Sequence, residues 1–139
     1  MAVLPLTRCG TLVAVDSAPG RVVAISAVTL VTKQMAASVS FYEGLGFRVL
    51  YGGGDADFTS FRINHGYLNL QRDDDWTPQT VVWGRVIFYV DDVDAMYERA
   101  VSAGLTPATE PADAPWSERF FHIRDPDGHE LSFARPLFA

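Results

Sequence analysis

Residues 124–133, RDPDGHELSF, place Asp125, Asp127, His129 and Glu130 within six positions. Carboxylates and an imidazole at that density are the ingredients of a metal centre or an acid/base pair. The same letters also write a tight turn. Pro126 supplies a fixed φ, the aspartates accept from turn amides, and Gly128 takes a positive φ. The turn accounts for Asp125 and Asp127 without further chemistry, and His129, at the head of the next strand, is expected to be exposed. Glu130 is expected to pair with Arg85 or to face solvent.

His122, in FFHIR, sits on a strand whose two faces meet different surroundings. It reads as a packed or hydrogen-bonded histidine, with a general base or ligand contact as the alternative. His122 and Glu130 are the candidates for catalysis. With His65 and His129, His122 would make three histidines, but their placement in two turns and one strand argues against a shared metal. Phosphate loops, Gly-x-Gly-x-x-Gly and Gly-x-Ser-x-Gly are absent from the sequence. Cys9 is the lone cysteine, which excludes an intramolecular disulfide and a Cys-rich zinc site, and it lacks a neighbouring base.

The formal charge is −6 and basic residues are scattered, so there is no footprint for nucleic acid or an anionic membrane. The first twenty residues have neither the basic start of a signal peptide nor the apolar run of a membrane span, and a cytoplasmic location is expected. At 139 residues, 48% hydrophobic, the chain can bury one core.

These residues must be positioned by elements that the periodicity makes visible. VVAISAVTLV reads as a strand, Thr32 as a helix N-cap, and Met35, Val39 and Tyr42 as one helical face closed by Gly46. FRVLYGG, FTSFRIN and YLNLQR follow as short strands. The order then recurs. WGRVIFYV is a strand, Asp91 or Asp92 caps a helix with Val93, Met96, Tyr97, Ala100 and Val101 on one face, and Gly104 ends it. LTPATE, RFFHIR and HELSFAR are the next three strands, and TLVAV, residues 11–15, is a possible extra strand. A step of 58 residues carries Met35 onto Val93, Val39 onto Tyr97 and Gly46 onto Gly104, so one strand-helix-three-strand unit occurs twice. Each unit alone would be marginal at about 60 residues. Together they can curve so that their helix-free faces line a shared cavity.

AVTLVTKQMAASVSFYEGLGFRV resembles the first strand and helix of the vicinal oxygen chelate superfamily, and RVIFYVDDVDAMYERAVSAGL with RDPDGHELSF resembles its second module. This superfamily includes glyoxalase I, extradiol dioxygenases, fosfomycin-resistance enzymes and bleomycin-type resistance proteins. The resemblance implies an α+β fold of two βαβββ modules, about 22–72 and 80–137, forming a curved mixed sheet around a shared cavity. Residues 22–137 make one domain behind an N-terminal extension, 1–21. It implies a homodimer as well.

In metal-bearing members, ligands project from the first and last strand of each module. By resemblance those positions fall here on Ala27, Asn69, Arg85 and Ser132: a methyl group, an amide, a guanidinium and a hydroxyl. No metal or other cofactor is therefore expected. What remains is an aromatic cavity walled by Tyr67, Tyr89, Trp76, Trp83, Trp116, Phe61 or Phe58, and Phe120 or Phe121. Asn69, Arg85, Ser132 and His122 supply its polar contacts. The expected function is metal-free sequestration of an apolar or aromatic small molecule. Its rivals are a metal-dependent glyoxalase, lyase, isomerase or dioxygenase with displaced ligands, metal-free acid/base catalysis by His122 or Glu130, and an accessory module.

Overall fold

Ala27 to Arg85 and Met35 to Val93 are the same step of 58 residues, and each pair opens a corresponding element. The computed structural model describes residues 2–5, 12–15, 19–78 and 80–138. The first module runs β3 (Ala27–Thr32), α1 (Met35–Gly44), β4 (Val49–Tyr51), β5 (Phe58–Ile63) and β6 (Gly66–Arg72). The second runs β7 (Arg85–Tyr89), α2 (Val93–Ser102), β8 (Ala112–Ala114), β9 (Glu118–Arg124) and β10 (Glu130–Pro136). Ahead of both, β1 (Ala2–Pro5) and β2 (Leu12–Val15) form an antiparallel pair, so the extra strand covers residues 12–15. Cys9 lies outside the described residues.

Each module is a four-stranded mixed sheet, ordered β3-β6-β5-β4 and β7-β10-β9-β8. The opening strand runs parallel to the last, which the intervening helix makes possible, and the other pairings are antiparallel. Both helices end where a glycine takes a positive φ, Gly46 at 92° and Gly104 at 81°.

The helix-facing sides share one core. The Phe47 ring lies 6.0 Å from Phe61 in its own module and 5.2 Å from Phe88 and 6.3 Å from Phe133 in the other. Tyr42 packs at 5.6 Å from Phe61. The edge-on contacts of Phe47 with Phe88 and Phe133 join two units that would each be marginal.

Four local expectations are corrected. Strand pairing begins at Ala27, not Val22, and Val22, Val23 and Ile25 are exposed, because among the described residues no ladder runs beside residues 22–26 beyond the Tyr67 amide donating to the Ser26 carbonyl. LTPATE is not a strand: it meets β9 only around His122, whose carbonyl accepts from the Ala108 and Thr109 amides and whose amide donates to the Thr109 hydroxyl, and ladder pairing starts after Pro111, in β8. Thr32 does not cap α1. Gln34 holds that position, and its amide donates to the Thr32 hydroxyl at 3.1 Å. Val101 is exposed, off the α2 core face. The Asp92 cap of α2 is present, its carboxylate accepting from the Ala95 amide at 3.0 Å.

Candidate ligand-binding faces

Alternation along the strands divides each sheet into a core side and a side free of helices. On the first sheet the free side carries Thr29, Asn69 and Ser60 in register. Ser60 donates to Asn69 Oδ1 at 2.7 Å and Asn69 Nδ2 donates to Thr29 Oγ1 at 3.2 Å. The next row is Ala27, Tyr67 and Arg62, with the Arg62 guanidinium 5.9 Å from the centre of the Tyr67 ring.

On the second sheet three successive rows have distinct chemistry. Arg85, Glu130 and Arg124 lie side by side. Arg85 Nη2 and Nε reach Glu130 Oε2 at 2.6 and 2.7 Å, and the glutamate is buried while the arginine is half-exposed. Ile87, Ser132 and His122 form the middle row, and Tyr89, Ala134 and Phe120 the last. Phe120 lies 4.9 Å from the His122 ring and stacks at 5.8 Å on Trp116. Trp116 Nε1 donates to Glu118 Oε1 at 2.9 Å and the Tyr89 hydroxyl donates to Glu118 Oε2. The carboxylate thus holds both rings in place. Tyr89 is 64% and Trp116 65% exposed, so this aromatic ladder is open.

The edge strands of the two sheets approach each other. A groove of about 410 Å³ is lined by residues Ala24 to Val28 on one side and Ile87 and Phe88 on the other, so the two free faces meet there.

Among the described residues, His122 Nδ1 is buried without a hydrogen-bond partner. Burial, then the Arg85 cation, hold its pKa below the ordinary histidine value, with Glu130 acting weakly the other way. The ring is therefore a neutral imidazole at pH 7. It can accept a hydrogen bond from a ligand or a proton from an acidic one.

The RDPDGHELSF segment does more than turn. The turn itself is as expected, with the Asp127 and His129 amides donating to Asp125 Oδ1 and Gly128 at φ 84°. Yet Asp125, Asp127 and His129 are all buried against the first module. Tyr42 donates to Asp125 Oδ2 at 2.7 Å, and the Lys33 amide and Ser38 hydroxyl donate to Asp127. Since Ser38 gives its proton to Asp127, the 2.8 Å contact with Thr32 has Thr32 donating to Ser38. Burial pushes the Asp125 carboxyl up despite these donors, and burial with the Asp125 charge pushes the Tyr42 hydroxyl up.

The expectation that His129 is exposed is overturned: it is 3% exposed. Trp83 Nε1 donates to its Nδ1 at 3.1 Å, which places the ring proton on Nε2, and Nε2 donates to the Val31 carbonyl at 2.8 Å. Trp76 stacks on it at 5.7 Å. Trp76 and Trp83 thus pack around His129, over a separate groove of about 340 Å³ bordered by Thr29 and Val31, and not beside Trp116.

Other candidates are sorted by the strand phase. Phe61 is fully buried in the core and cannot wall a site, and Phe58 is the ring on the free side. Phe121 is likewise core and Phe120 faces out. Ser132 is buried between Ile87 and His122, so its hydroxyl is not open to a ligand. Among the described residues, no three His, Cys, Asp or Glu side chains cluster as a metal ion would require. The donors that are present do not fit one. Asn69 is held by Ser60 and Thr29, Glu130 is neutralised by Arg85, and Ala27 offers nothing. Glu118, which organises the ladder, was not singled out from the sequence. Its position two residues after Trp116 and two before Phe120 was the available signal.

Residues 24–133 match the family model described as the Glyoxalase/Bleomycin resistance protein/Dioxygenase superfamily. A glyoxalase/bleomycin resistance protein/dioxygenase from Nocardioides superposes with TM-score 0.71 at 23% identity, covering 88% of this chain and 89% of that one. A bleomycin-binding protein solved in complex with bleomycin gives 0.65 at 20%, covering 82% and 98%. A lactoylglutathione lyase from Agrobacterium tumefaciens gives 0.63 at 21%, covering 80% and 92%. Among curated sequences, an uncharacterised protein of Mycobacterium bovis is 42% identical over 48 residues, 34% of this chain and 32% of that protein. The match thus spans about a third of that relative's length. Among the described residues, no helix is long and apolar enough to cross a membrane.

Proposed function

The chain belongs to the Glyoxalase/Bleomycin resistance protein/Dioxygenase superfamily, and on that premise we propose that it binds a planar aromatic small molecule without the help of a metal ion. The observation that carries this reading is the open Trp116–Phe120–His122 ladder, braced by Glu118 through Trp116 and Tyr89. A flat ring gains by stacking on such a surface, and the neutral His122 offers one directional acceptor beside it. Tyr67 and the remaining Asn69 N–H face the same side of the first sheet. Arg85 contributes charge only through its pair with Glu130. That a protein of the same fold holds bleomycin supports small-molecule sequestration as the mode of action.

A homodimer is part of this reading. Ile87, Tyr89 and Trp116 leave more apolar surface open than a single chain covers, and a second copy over these faces would enclose the ligand. Residues 22–137 would act as one ligand-binding domain, with modules 22–72 and 80–137, in the cytoplasm, where nothing in the mechanism needs oxidising conditions.

Tryptophan fluorescence titration with a panel of planar aromatic compounds tests the proposal. Saturable quenching that disappears in Trp116→Phe supports it, and an unmoved spectrum across the panel defeats it. One equivalent of tightly held zinc, iron, manganese or nickel in protein purified without chelator would overturn the metal-free part.

His122 favours a second reading, acid/base catalysis. A neutral imidazole in the row beside the Arg85–Glu130 pair can take a proton from a bound acid. Turnover that falls by about 100-fold or more in His122→Gln, with ligand affinity retained, would select it.

A further inference from the structure

A second groove, of about 300 Å³, lies on the seam between the modules. Its floor is the aromatic cluster of Phe47, Phe88 and Phe133, and Ile63 and Met96 flank it. Tyr89 is the one residue it shares with the ladder. Arg48 and Arg62 also line it, and no acidic residue does.

Three arginines elsewhere are matched to acids, and Arg124 and Arg135 donate to the Thr80 and Asp91 carbonyls. Arg72 holds Asp57 and Asp74, Arg85 holds Glu130, and Arg119 holds Asp94 and Asp113. Arg62 has only the face of Tyr67, which leaves its N–H donors without a carboxylate, and among the described residues Arg48 has no hydrogen-bond or ion-pair partner. The acids of the adjoining groove, Asp91 and Asp92, sit there with Arg99, and Asp92 accepts from the α2 amide of Ala95. Two unmatched guanidiniums at one apolar groove, in a chain of net charge −6, form a local receptor for an anion. The volume suits a one- or two-ring molecule and is too small for a peptide segment.

We propose that the seam groove between Phe47, Phe88 and Met96 binds an aryl carboxylate, its ring on the phenylalanine floor and its carboxylate between Arg48 and Arg62. This site is independent of the ladder and does not rest on the function proposed for it.

The probe is 2-naphthoate, titrated calorimetrically into the full chain, with 2-naphthylmethanol as the neutral control. The component of naphthoate binding that belongs to the seam is expected to be equal in wild type and Trp116→Phe, and in Trp116→Phe the alcohol is expected to bind about tenfold or more weakly than naphthoate. The Arg48→Gln/Arg62→Gln double variant should lose about tenfold or more of the naphthoate affinity and little of the alcohol affinity. Met96→Trp, which fills the groove, should abolish the seam component of both, read in the Trp116→Phe background. Both exposed arginines can be replaced without touching the core, and unchanged thermal unfolding of the double variant verifies its fold. Naphthoate binding that is undetectable at millimolar concentration, or unchanged in the double variant or in Met96→Trp, overturns the proposal. Binding lost only in Trp116→Phe also overturns it, by moving the ligand to the ladder.

Discussion

The Tyr42 hydroxyl donates to Asp125 Oδ2 at 2.7 Å across 83 residues of chain, so the first module's helix holds the last turn of the second module. Both groups are buried, and the bond makes the turn a clamp between the modules. Tyr42→Phe removes the donor and keeps the ring, leaving the Asp125 carboxylate with its two turn amides alone. The expected loss is about 1–3 kcal/mol of unfolding free energy at neutral pH. Urea denaturation with an unchanged m-value measures it, and a loss near zero would show that the clamp contributes nothing.

Asp127→Ala takes the acceptor from the Lys33 amide and the Ser38 hydroxyl together. The Thr32 and Ser38 hydroxyls then lose the acceptor at the end of their chain. The expected destabilisation is about 1–3 kcal/mol for each group left orphaned. Combined with Tyr42→Phe it should be non-additive, because both act on one turn.

His122 titrates below the ordinary histidine value because burial and Arg85 disfavour its cation. The unfolded chain therefore takes up this proton first as pH falls. The contribution of His122 to stability is complete above the ordinary histidine pKa and is lost as pH drops through the folded value. Proton NMR of the ring in Arg85→Gln should show the pKa move up, and in Glu130→Gln move further down. An opposite displacement in either variant would sink the assignment of causes.

Three glycines rank by what surrounds them. Alanine at Gly104 meets only the positive φ of 81°, since nothing lies within 4 Å of the added Cβ, and costs about 1 kcal/mol. Gly46→Ala adds a clash at 2.1 Å with Arg99 Nη1, the movable end of a side chain. Gly52→Ala drives Cβ to 2.2 Å from the Phe58 carbonyl oxygen, which is backbone and cannot yield without opening β5. Melting temperatures should fall in the order Gly104, Gly46, Gly52, with the last lowest.

Much of the architecture was legible because its signals are local. The repeat shows in the spacing of apolar residues, the helix ends in Gly46 and Gly104, and the DPDG turn in residues whose φ values it requires. The candidate site was legible in part. Strand alternation left His122 on either the core face or the helix-free face, and register with Ile87 and Ser132 decides for the latter; the Arg85–Glu130 pair was among the expectations. Phe61 and Phe58 could not be told apart, because a shift of one residue in strand phase exchanges core for surface. The LTPATE strand failed for a related reason: a β-prone run becomes a strand only where a neighbour offers a ladder, and the prolines there delay it to residue 112.

The amino-acid sequence alone determined that one strand-helix-three-strand unit occurs twice, and its resemblance to this superfamily implied the α+β scaffold. Periodicity, turn chemistry and side-chain identity are properties of the chain itself. Only the tertiary structure decided that Asp125, Asp127 and His129 are buried between modules, that Glu118 braces the aromatic ladder, and that Arg48 and Arg62 are left unmatched over an apolar groove. Those outcomes depend on which distant surfaces meet, and burial and pairing between residues 80 or more positions apart are set by packing, not by any local pattern.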